Sequence, residues 1–123
     1  MKSGTGIRSL CLDGAIERCE ARQVEHVALD EVEVGVVAEV GPIDVLVNNA
    51  GITRDTTFKK MSKVDWDAVM NTNLNSVFNM TKAVLDDMVD RNWGRVINVS
   101  SVNGQKGAFG QTNYSAAKAG MHG

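Results

Sequence analysis

Very little in this chain points toward a charged polymer or a membrane. Thirteen Lys and Arg against fifteen Asp and Glu leave a formal net charge of -2, with a pI near 5.6. The basic footprint of a nucleic-acid binder is therefore missing. Long hydrophobic runs are missing too: each apolar stretch is interrupted within a few residues, so no membrane span is expected. The opening MKSGTGIRSLCLDG has neither the apolar core nor the small-residue cleavage site of a signal peptide. A cytoplasmic protein is the expectation. Cysteine is scarce, and Cys11 and Cys19 stand eight apart without a CxxC pattern or a partnering His cluster. No metal site and no structural disulfide are expected, and both read as free thiols. Tyrosine occurs once, at position 114. With 123 residues the chain is one domain at most, long enough to bury a core.

What is present gains definition along the chain. Residues 1–40 are hard to read: a short polar helix over 13–22 and a Val-rich helix over 31–40 are soft expectations, with Gly41-Pro42 stopping the second. The apolar run from Ile43 to Val47 suits a strand covered on both faces, and it ends in Asn48-Asn49-Ala50-Gly51. Amides and a glycine there fit the ligand-binding end of a parallel strand. They fit equally well a turn that uses their backbone freedom. Ser62 and Asp65 form a helix-capping pair. From Lys63 to Asn92 the pattern is helical, with Val69, Met70, Leu74, Val77, Phe78, Val84, Leu85 and Met88 on one side. Asn71, Asn73, Asn75 and Asn79 are poor interior helix residues, so a break is expected near 71–75. An Asn buried at that break would be available to hold water or a backbone group; a plain amphipathic helix with a partly solvated Asn is the other reading. Gly94 follows the helix as its stop signal, and Arg95 to Val99 reads as a short buried strand. Strand, long helix, strand and a further helix start make a βαβ unit with a parallel sheet.

The chemistry concentrates at the end. Tyr114 and Lys118, four apart in YSAAKAG, share one helix face. A phenol alone is a poor acid at neutral pH, and an adjacent ammonium favours the phenolate. Ser101 ends the strand thirteen residues before Tyr114, and the loop between them contains Gly104, Gly107 and Gly110. Such a loop lets hydroxyl and phenol converge on one carbonyl oxygen, where the Ser hydroxyl stabilises developing charge. No side chain present supplies a hydride, so the chemistry requires a cofactor.

NNAG at Asn48 to Gly51, Asn73, Ser101 and the YxxxK of Tyr114 and Lys118 lie in the order and spacing of the short-chain dehydrogenase/reductases, and the chain from about Gly41 to Gly123 resembles the middle of that family. The resemblance implies an incomplete Rossmann-like, doubly wound α/β sheet, with residues 1–40 matching poorly and 41–123 forming the central and catalytic part. It implies Tyr114 as general acid and Ser101 as the group that orients the substrate oxygen. Lys118 would bind the nicotinamide ribose and lower the Tyr114 pKa, and Asn73 would anchor a water that relays protons to Lys118. Asn49, Ala50 and Gly51 would lie along the cofactor, with Asn48 tying the central strands. Asp55, Phe109 and Gln111 would face substrate. No metal is implied.

Within the family, NNAGITRD, NTNLNSVFN, WGRVINVSSVNGQKG and FGQTNYSAAKAG most resemble the reductases that act on acetoacetyl-CoA with NADPH in polyhydroxybutyrate synthesis, giving the (R)-3-hydroxy product. The 3-oxoacyl-[acyl-carrier-protein] reductases share most of these residues. A homo-oligomer paired through the long helix, tetrameric at full length, is implied as well. The family's phosphate-binding TGxxxGxG has only the echo Gly4-Thr5-Gly6-Ile7 here, and the usual elements after YxxxK are not seen. A partial sequence is the simplest expectation; a catalytically dead fragment that retains a self-association helix is the alternative from another class.

Overall fold

The computed structural model describes residues 9–11 and 41–123. Three parallel strands, β1 (Ser9–Cys11), β2 (Val45–Asn48) and β3 (Arg95–Asn98), form a sheet in that order. Ser9 pairs with Val45, and Val45 with Arg95, in a register that continues to Asn48 beside Asn98. Expectations for 13–22, for 31–40 and for the Gly4–Gly6 echo fall outside the described residues. β1 has no counterpart in the sequence reading, because three residues are too few to establish a period.

Between β2 and β3 the chain forms a 3-10 turn (Phe58–Lys60), then α1 (Lys63–Met70), a π-helical turn (Asn71–Asn75) and α2 (Ser76–Asp90). The capping pair forms as expected: Ser62 Oγ accepts the Asp65 N–H at 3.0 Å and donates to its carboxylate at 2.5 Å. The expected break is the π turn, in which the Ser76 N–H reaches back to the Asn71 carbonyl. Asn71 and Asn75 pair along the surface at 2.7 Å, while Asn73 turns inward and is fully buried. The reading with a solvated Asn73 is thereby set aside.

α2 covers one face of β2. Ile43 and Leu46 from the β2 segment pack with Val84 and Met88 of α2, and Met80 sits against them. Arg91 clips the end of α2 to the start of β2, donating to Asp44 Oδ1 and to the Ile43 carbonyl at 2.6 Å each and to Asp87 at 2.9 Å. Burial alternates along β2, with Leu46 and Asn48 inside and Val45 and Val47 only half-covered. β3 is exposed throughout, because among the described residues it pairs with β2 alone. Both strands are less covered than the apolar runs suggest. The helical stripe is likewise divided: Val69, Val84 and Met88 are buried, whereas Phe78 and Leu85 face outward.

The helix stop also differs from expectation. Asn92, at φ 53°, takes the left-handed position that ends α2, and Gly94 serves a steric purpose. A Cβ there would lie 2.5 Å from Met88 Cγ and Sδ and 2.7 Å from Met88 Cβ. Gly94→Ala is expected to lower stability by about 1–3 kcal/mol through overpacking against the core. A urea midpoint indistinguishable from that of the parent chain would refute this.

Candidate active site

β3 runs into a short helix, α3 (Asn103–Lys106), and then through a loop into α4 (Thr112–Gly120). Tyr114 and Lys118 occupy successive turns of α4. The Lys118 ammonium lies 5.8 Å from the Tyr114 ring centroid and donates to the Val99 carbonyl at 2.8 Å. Lys118 is 4 % exposed, and burial pushes its pKa below the ordinary lysine value because the charged form loses hydration. Ser100 reinforces the same junction: its Oγ donates to the Lys118 carbonyl at 2.8 Å and meets His122 Nε2 at 2.9 Å. α3 approaches so closely that a Cβ on Gly104 would come within 2.8 Å of the Lys118 backbone. The strand end, the short helix and α4 are thus locked together around the lysine.

The NNAG segment meets this assembly from the other side. Asn48 Nδ2 donates to Asn98 Oδ1 at 2.9 Å and to Thr81 Oγ1 at 3.2 Å, joining β2 to β3 and to α2. Asn73 holds the following backbone with both ends of its amide: Oδ1 accepts the Ile52 N–H at 2.7 Å, and Nδ2 donates to the Ile52 carbonyl at 2.8 Å. A Cβ built on Gly51 would sit 3.0 Å from Asn73 Oδ1 and 3.7 Å from Lys118 Nζ. Gly51, Asn73 and Lys118 therefore share one corner, with Asn49 and Ala50 half-buried just before it.

Ser101 Oγ accepts the Asn103 N–H at 3.2 Å, and Tyr114 is half-buried. Asp55 and Gln111 are brought together directly: Gln111 Nε2 donates to the Asp55 carboxylate at 2.8 Å, and Gln111 Oε1 accepts from Asn103 Nδ2 at 2.8 Å. Phe109, by contrast, is 94 % exposed and projects into solvent. The sequence reading did not pick out Asn113, which is fully buried beside Tyr114. Its signal was weak, a single amide at a helix start.

No group of His, Cys, Asp and Glu among the described residues is arranged to hold a metal, and no helix among them is long and apolar enough to cross a membrane. A nicotinamide cofactor fits the residues that are present. A Cβ at Gly51 would press on Asn73 Oδ1 at 3.0 Å, so only a residue without a side chain fits this exposed corner beside the Lys118 ammonium, and a buried cation suits the hydroxyls of a ribose.

A parallel β–helix–β unit with a Tyr and a buried Lys one helical turn apart, beside the carboxyl ends of its strands, defines part of a Rossmann-like α/β domain whose candidate site lies at those strand ends. The family described as short chain dehydrogenase matches residues 19–123, and the chain belongs to that family. It is 69% identical over 88 residues to an acetoacetyl-CoA reductase of Cupriavidus necator, covering 72% of this chain and 36% of that protein. An acetoacetyl-CoA reductase of Allochromatium vinosum is 68% identical over the same length, with the same shares covered. A 3-oxoacyl-[acyl-carrier-protein] reductase of Thermotoga maritima is 47% identical over 112 residues, which is 91% of this chain and 46% of that protein. The chain spans 36% of the length of the first two relatives and 46% of the third.

Proposed function

We propose that this chain is the central and catalytic part of a cytoplasmic reductase that converts acetoacetyl-CoA to (R)-3-hydroxybutyryl-CoA with NADPH, in polyhydroxybutyrate synthesis. The observation that carries the reading is the buried Lys118 ammonium, held on the Val99 carbonyl 5.8 Å from the Tyr114 ring. Identity of 69% and 68% to two acetoacetyl-CoA reductases supports the substrate. NADPH, when held by the NNAG segment and Lys118, would supply the hydride that the ketone carbon needs. Tyr114 gives its phenolic proton to the ketone oxygen as that oxygen gains charge. Ser101 donates its hydroxyl hydrogen to the same oxygen, while its Oγ accepts the Asn103 N–H. Lys118 binds the ribose hydroxyls and holds positive charge near the phenol. Asn73 fixes the backbone at Ile52 that follows the cofactor segment, and a water held at Asn73 would return a proton toward Lys118. Asn48, Asn49, Ala50 and Gly51 line the cofactor side, whereas Asp55, Phe109 and Gln111 face the acyl thioester.

The Thermotoga maritima relative, which matches 91% of the chain, favours a carrier-protein substrate as a second reading. An NADPH oxidation assay of the full-length enzyme separates the two. Faster turnover per unit of substrate with acetoacetyl-CoA than with acetoacetyl-carrier protein is expected; the reverse order would assign the enzyme to the second class. Phe78 and Val89, 66 % and 64 % exposed on α2, leave an apolar stripe for self-association, and a homo-oligomer is proposed on that ground. Retained oligomerisation of the 123-residue chain without NADPH binding would favour the inactive-fragment reading.

A further inference from the structure

Three hydrogen bonds connect the segment 53–57, which follows NNAG, to the loop and helix start that precede Tyr114. The Thr56 N–H donates to the Gly110 carbonyl at 2.9 Å, Gln111 Nε2 donates to Asp55 at 2.8 Å, and Asn113 Nδ2 donates to the Arg54 carbonyl at 3.2 Å. Only Asn113 among these residues is fully buried, and its amide is used in both directions. Nδ2 also points at the Asp65 carbonyl of α1 at 3.5 Å, while Oδ1 accepts the Tyr114 N–H at 2.8 Å. That N–H is one of the unpaired donors that every helix start must satisfy.

We propose that Asn113 is the positioning residue for Tyr114, fixing the start of α4 against both the cofactor-side loop and α1 so that the phenol is delivered in one place. This role rests on the catalytic reading of Tyr114 given above. Asn suits the position because it carries two donor hydrogens for carbonyls from separate segments and one acceptor for its neighbour's N–H. A carboxylate would set negative charge against those two carbonyls, and an apolar side chain would take this partner from the Tyr114 N–H and the Arg54 carbonyl. Small displacements at a reacting centre are costly, whereas distant cofactor contacts tolerate them.

The chain's single Tyr makes a test independent of turnover possible. With 3-fluorotyrosine incorporated, the 123-residue chain gives one fluorine resonance, that of position 114. Asn113→Ala is expected to shift or broaden it, whereas Thr112→Ala, an exposed neighbour, leaves it in place. In the full-length enzyme, Asn113→Ala should cut kcat by about tenfold or more, counted per NADPH-binding site, with the NADPH dissociation constant within about twofold of the parent. Should that variant not fold, Asn113→Ser, which is too short to reach the Arg54 and Asp65 carbonyls, is measured the same way. An unmoved resonance in either folded variant would overturn the proposal, as would unchanged kcat per binding site in an enzyme that reduces acetoacetyl-CoA. A parent enzyme inactive on acetoacetyl-CoA would instead count against the proposed function, and the fluorine shift would still decide the role of Asn113.

Discussion

Tyr114→Phe in the full-length enzyme should lower kcat by about 100- to 10,000-fold, the range spanned by a positioned general acid, and leave NADPH binding nearly unchanged. The substitution removes one oxygen. Because the phenol hydroxyl hydrogen-bonds to nothing among the described residues, its loss orphans no buried partner, and stability should change by no more than about 0.5 kcal/mol. The ring also remains beside Lys118, so the packing of α4 survives. The assay is single-turnover oxidation of NADPH in the presence of acetoacetyl-CoA, alongside fluorescence titration of the cofactor. Because chemistry and binding are read separately, a fall in both together would point to a folding defect. Turnover within about tenfold of the parent would remove Tyr114 from the acid role and leave the proton to another donor.

The features legible in the sequence were those written in local pattern. Ser62 and Asp65 announce a helix start three residues apart. Four Asn within nine residues announce a helix that cannot run straight, and the π turn falls on three of them, 71–75. Tyr114 and Lys118 announce a shared face. What escaped depends on contacts made at long range. Asn113 reaches carbonyls 59 and 48 residues away, and Arg91 reaches the start of β2 from 47 and 48 residues off; neither partner can be inferred from neighbours in sequence. A glycine after a helix usually marks its stop, whereas here Asn92 supplies the left-handed turn and position 94 is small because of Met88. Apolar content overstated burial for the same reason. Val96, Ile97 and Phe78 are hydrophobic, but their cover must come from other elements, and among the described residues none provides it.

Lys118→Met should uncouple two quantities that a purely structural lysine would keep together. Burial lowers the Lys118 pKa in the folded chain, so between that lowered value and the ordinary lysine value the unfolded chain binds more protons than the folded one. Stability contributed by this site therefore rises as pH climbs through that window and is depressed below it. Met keeps the length of the stem but cannot titrate. The urea midpoint of the 123-residue Lys118→Met chain, compared at about pH 7 and about pH 9.5, should rise less than that of the parent, and the difference between the two slopes isolates Lys118 from every other group that titrates there. At neutral pH the relief of a buried charge is opposed by the Val99 carbonyl losing its donor, worth about 1 kcal/mol, so the slope is the informative quantity and the midpoint alone is not. In the full-length enzyme the same substitution should weaken NADPH binding and reduce kcat by about 100-fold or more, since both the ribose contact and the charge beside Tyr114 are lost. Equal slopes would show that Lys118 is not held in a dehydrating environment. Intact cofactor affinity alongside a flattened slope would mean that the lysine is buried for packing, with the nicotinamide ribose held by other residues.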